Sequence, residues 1–82
     1  MLPLQKQNFT KMANDNKNLN RIKVILAEKN LQNKWLAEQL GVSVTTTSRW
    51  CSNAAQPDLS TLVKIASLLD VDIKDLLIST KQ

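Results

Sequence analysis

The 82-residue sequence has no histidine and no tyrosine, a single cysteine, a single glycine, two prolines and few aromatic side chains: Phe9, Trp35 and Trp50. Each scarcity removes a class of protein. Without His or Tyr the commonest proton shuttles are missing. Cys51 alone cannot form an internal disulfide or a thiolate cluster for zinc or iron–sulfur, and with no His in the chain it cannot be half of a Cys–His dyad. No catalytic activity is expected, and no metal or other cofactor. One Gly and two Pro are too few for a succession of β-turns, which argues against an all-β fold. No apolar run approaches the ~18 residues of a membrane span. The opening residues, MLPLQKQNFTKM, hold no apolar stretch of signal-peptide length. A reducing, cytoplasmic setting is the expectation, with no membrane and no small-molecule ligand.

Hydrophobic residues nonetheless make up 43% of the chain, and nearly all are aliphatic. That is enough for one small helical domain, with no room for a second. The net charge of +4 is unevenly placed. Residues 1–52 hold eight basic and three acidic side chains, whereas residues 53–82 hold three basic and four acidic. Such a division suits a molecule that turns one half towards a polyanion.

Residues 1–18, rich in Asn, Gln and Lys without apolar periodicity, read as a disordered arm; residues 19–78 read as one domain and residues 79–82 as a frayed end. Within the domain, Ile22, Ile25 and Leu26 predict a first helix from about Asn20 to Lys29, ended by Asn30. Leu36, Ala37 and Leu40 give a second over Asn33–Leu40, started by Asn33 or Gln32 and closed by Gly41. Ser43 is placed to cap a third, from Val44 to about Ser52. That segment, VTTTSRWCS, is a poor helix former in its own right, and Trp50 is its natural anchor. Asp58 caps a fourth helix, Leu59–Leu69, and Asp72 with Asp75 starts a short fifth, Ile73–Ile78. Asn30, Asn53 and Asp70 each stand at a helix end where Gly is common. The fold class is therefore all-α, a five-helix bundle.

Two short helices joined by a Gly-centred turn form a helix-turn-helix unit. The segment LQNKWLAEQLGVSVTTTSRWCSN, followed by PDLSTLVKIASLLDVDIKDLL, resembles the Cro and phage-repressor (XRE-like) family, and with the first helix the likeness covers Asn20–Ile78. The resemblance implies a lambda-repressor-like DNA-binding domain that lays its third helix in the major groove, a channel of about 12 Å that admits one helix. It places Val44, Thr45, Thr46, Ser48 and Arg49 towards DNA, with Arg49 as the base reader, bidentate to guanine. Asn33 takes the position where the family usually has a Gln bonded to a backbone phosphate, and Lys34, Ser43 and Thr46 offer further phosphate contacts. The function implied is that of a small sequence-specific transcriptional regulator, a repressor or an autoregulatory control protein, of a bacterial cell or a prophage. One recognition helix reads few bases, so a homodimer on an inverted-repeat operator is expected.

The chain departs from the family pattern at several positions. Thr47 stands where the family buries Ile or Val; its hydroxyl is expected to bond the carbonyl one turn back. Cys51 and Leu26 replace a Glu–Arg pair, which implies an apolar contact in place of a salt bridge. Trp35 replaces a polar residue and is expected to pack on the first helix; a surface role for it would fit the alternative, a protein-interaction module such as an antitoxin or adaptor on the same fold. Trp50 and Cys51 read as core, and Asp70, Asp72 and Asp75 as caps rather than a calcium loop.

Overall fold

Among the described residues four have a positive φ: Asn30 (57°), Gly41 (71°), Asn53 (63°) and Asp70 (58°). Each follows a helix, and each is followed by an N–H that reaches back to a carbonyl five residues earlier. The bonds are Leu31 to Leu26 (2.8 Å), Val42 to Ala37 (3.0 Å), Ala54 to Arg49 (2.9 Å) and Val71 to Ala66 (3.0 Å). This is the Schellman closure, which satisfies carbonyls a helix end leaves free. Asn and Asp tolerate the left-handed conformation because their short polar side chains bond locally. A domain can thus end four helices with one glycine.

The structure, a computed structural model, describes residues 18–79. Among them α1 spans Ile22–Glu28, α2 Asn33–Leu40, α3 Val44–Cys51 and α4 Leu59–Leu69, followed by a 3-10 turn at Ile73–Leu76. The arm expected over residues 1–18 and the frayed end over 79–82 lie outside the described residues, apart from Asn18 and Ser79.

The described residues are all-α as expected, with four α-helices rather than five. The fifth element is the single 3-10 turn, opened by the expected capping box: Asp72 accepts from Lys74 N–H (3.2 Å) and Asp75 from Asp72 N–H (3.2 Å). It stops at Leu76 because Leu77 is drawn into extended backbone (φ −111°, ψ 148°) by an antiparallel bridge to Asn20. The same pairing corrects the first helix, expected from Asn20. Arg21 N–H bonds Leu76 O (2.8 Å) and Ile78 N–H bonds Leu19 O (3.0 Å), so the helix begins only at Ile22.

The core is aliphatic. Ile22, Ile25 and Leu26 from α1, Leu36 from α2, Leu62, Ile65, Ala66 and Leu69 from α4, and Leu76 close around Trp50 of α3. Trp35 is half-buried and packs against this cluster, as do Leu31, Leu40 and Cys51. Area removed from water at about 25 cal/mol per Å² is the dominant stabilising term. α2 and α3 pack most closely on each other, and α1 lies across α3.

Candidate nucleic-acid interface

The short link Gly41–Val42–Ser43 turns the chain from α2 into α3. Gly41 supplies the left-handed residue; a Cβ there would meet nothing within 4 Å, so its constraint is conformational rather than steric. Ser43 then caps α3, its Oγ accepting from Thr46 N–H at 3.1 Å. The two hydroxyls of Ser43 and Thr46 also lie 2.9 Å apart. One donates to the other, which leaves a single outward O–H between them for a phosphate.

Helical spacing separates the two faces of α3. Thr47 and Trp50 point into the core, whereas Val44, Thr45, Ser48 and Arg49 are exposed. Thr47 is fully buried, and its hydroxyl donates to Val44 O (3.0 Å), as expected, and to Asn33 O (3.2 Å). Thr46 is half-buried, in keeping with its place in the cap.

Beside the outer face of α3 lies an open cleft of about 460 Å³ between α1, the start of α2 and α3. Leu26, Ala27, Leu31 and Cys51 form its apolar part, and Lys23, Gln32, Asn33, Ser48 and Ser52 its polar part. Leu26 and Cys51 therefore line one cleft, in line with an apolar pairing of the two positions. Burial pushes the Cys51 thiol above its ordinary value of 9.0, with Lys23 opposing in part. The thiol is neutral at physiological pH and behaves as a small hydrophobe.

The first residue of the α2 cap is Gln32, in extended backbone, and its side chain makes no capping bond. The cap thus falls on one of the two residues expected there, without a side-chain bond. The leading N–H groups of α2 are left for an outside acceptor, at the positive end of the helix dipole. Asn33 occupies the first turn, half-buried, and Lys34 is exposed beside it.

The structure thus brings Asn33 and Ser48 into one cleft and sets Val44, Thr45 and Arg49 on the adjoining exposed face, with Lys34 on the surface of α2. Lys23, Gln32 and Ser52 join the cleft, although sequence reasoning did not single them out. Only the packing of α1 across α3 brings Lys23 there; the excess of basic residues in the first half of the chain was its one advance signal.

The model of the Cro/C1-type HTH DNA-binding domain family matches residues 21–82. The chain belongs to this family. The Cro/C1-type domain is also similar to a solved chain, the crystal structure of a "putative DNA-binding protein" from Bacteroides fragilis. The two share 62% sequence identity over 73% of this chain and 97% of the other, with a TM-score of 0.72. No protein of curated function matches the chain. A Cro/C1-type domain is a DNA-binding unit. Among the described residues no group of three or more His, Cys, Asp or Glu is placed to hold a metal ion, and no helix is long and apolar enough to cross a membrane.

Proposed function

We propose that the protein is a sequence-specific double-stranded DNA-binding transcriptional regulator, a repressor or an autoregulatory control protein acting as a homodimer on an inverted repeat. The observation that carries this reading is the division of α3: a buried Thr47–Trp50 side, and an outer side of Val44, Thr45, Ser48 and Arg49 free to meet base edges. Arg49 is the base reader, able to bond guanine O6 and N7 together. Val44 and the Thr45 methyl suit a thymine methyl. Lys23, Gln32, Asn33, Lys34, Ser43, Thr46 and Ser52 serve the phosphate backbone, with the uncapped start of α2 as an additional donor. Two such units would meet half-sites about one helical turn, ~34 Å, apart.

The protein-interaction alternative draws on the modest net charge, the single Arg of α3 and a surface Trp35. Trp35 packs against the core, which favours the DNA reading.

Selection of binding sites from a random duplex library, with Arg49→Ala run in parallel, tests the proposal. An enriched inverted repeat that relaxes at one base position in the variant is the expected result. Enrichment of no sequence near physiological salt overturns it.

A further inference from the structure

Only two polar residues are buried among the described ones, Asn20 (4% exposed) and Thr47 (0%). Each makes a hydrogen bond that joins the recognition helix to a neighbouring element, Thr47 from within α3 and Asn20 from outside it. In the middle of α3, the Thr47 hydroxyl shares its one proton between Val44 O (3.0 Å) and Asn33 O (3.2 Å), and the second branch ties α3 to α2. At the C-terminal end, Asn20 Nδ2 donates to Trp50 O at 2.9 Å and so ties α3 to the start of α1.

The Asn20 tie is itself braced. Its Oδ1 accepts from Ile22 N–H (3.0 Å), and Nδ2 also reaches Gln56 Oε1 (2.7 Å). Asn53, the left-handed residue that closes α3, grips the backbone of the same residue from both sides. Asn53 Oδ1 accepts from Leu19 and Asn20 N–H (3.0 and 2.9 Å), and Nδ2 donates to Asn20 O (3.1 Å). Gln56 Nε2 completes the ring on Asn53 Oδ1 (3.1 Å). The neighbouring carbonyl, that of Arg49, is held by Ala54 and Ala55 N–H (2.9 and 3.2 Å).

We infer that Asn20 and Thr47 are positioning residues for DNA recognition: they fix the tilt and rotation of α3, and through it the reach of Arg49. The inference rests on the DNA-reading role of Arg49. Its physical basis is that α3 is short and has three Thr and a Val, so its own propensity does not hold it in place. Trp50 anchors one point of the helix, about which an unbraced helix can still rock. A buried hydrogen bond has a narrow geometry, and the two ties, at Thr47 and at the Trp50 carbonyl one turn later, restrict that freedom. A base contact needs alignment that a phosphate contact does not.

The test compares affinity for the selected site with affinity for a scrambled duplex, using the full chain. Thr47→Val keeps the core volume and removes only the hydroxyl; Asn20→Ala removes the other tie. If Asn20→Ala fails to fold by circular dichroism, Asn53→Gly replaces it, since Gly keeps the left-handed closure and deletes only the carboxamide grip. Each folded variant is expected to lose roughly three- to tenfold in the site-to-scrambled ratio, with binding to the scrambled duplex unchanged. In an Arg49→Ala background the same changes are expected to lose nothing further, because they act through that side chain. A wild-type ratio in the folded variants, or an undiminished loss without Arg49, overturns the inference and leaves the DNA reading intact. Failure of the unmodified protein to discriminate overturns both.

Discussion

The helix α3 and the helix after it, α4, begin and end alike and differ in between. Each starts with a side-chain cap, Ser43 to Thr46 N–H (3.1 Å) and Asp58 to Thr61 N–H (2.8 Å). Each closes on a left-handed Asn53 or Asp70 with the same backward bond. Between these ends α4 buries four aliphatic residues, Leu62, Ile65, Ala66 and Leu69, whereas α3 buries Trp50 and a threonine. α4 stabilises the domain; α3 is stabilised by it. A helix that keeps Val44, Thr45, Ser48 and Arg49 on its outer side is free to be a poor helix only while its neighbours supply what it lacks.

Breaking that division has its largest effect in α4. Ile65→Ala should cost about 2–5 kcal/mol in chemical denaturation, because Ile65 is fully buried and the cavity cannot collapse freely. The folded fraction should keep its site preference. A loss under about 1 kcal/mol would mean that α4 is not the main support. Arg49→Ala should do the reverse: stability within about 0.5 kcal/mol of the parent, and about 1–3 kcal/mol less discrimination at one base pair in a competition assay. Unchanged discrimination would remove Arg49 from the reading face.

The caps allow a finer comparison. Ser43→Ala should lower stability by about 1 kcal/mol at any pH. The Asp58 cap, by contrast, carries a charge. Hydrogen bonds from Thr61 and then Ser60 hold its carboxyl below the usual 3.8. A folded value below the unfolded one gives a contribution that is complete above the unfolded value and is lost as pH falls through the lower folded value. Thermal melts between about pH 5 and about pH 2 should therefore show a fall that Asp58→Asn lacks, and equal slopes in the two proteins would disprove the assignment. The smallest effect is expected at the exposed Thr45. Thr45→Ala should raise stability by a few tenths of a kcal/mol through helix propensity while weakening binding to the selected site. Gains in both would show that Thr45 is not a contact.

What could be read in the sequence was local. The ends at Asn30, Asn53 and Asp70, the caps at Ser43, Asp58 and Asp72, and the bounds of α2 and α4 follow from residues within one turn of each other. The Thr47 bond to Val44 O was legible for the same reason. Bonds across the fold were not. Nothing near Asn20 in the chain announces partners at residues 50, 53 and 56, so it was placed inside a helix that starts two residues later. The shortening of the last helix to a 3-10 turn has the same origin, since Leu77 answers to Asn20 rather than to its own neighbours. Lys23, Gln32 and Ser52 entered the interface only when α1 was laid across α3.

The pairing of Leu19–Arg21 with Leu76–Ile78 brings the first and last described segments side by side. A chain synthesised from its N-terminus emerges with Arg21 N–H still lacking its acceptor, and Leu76, fully buried, is the last large piece of the core to arrive. The domain is thus completed only once Leu76–Ile78 have been made, and closing it joins the most distant segments of the described residues. The same adjacency makes it a good candidate for circularisation: a short peptide linking the two ends would replace that slow encounter with a covalent one.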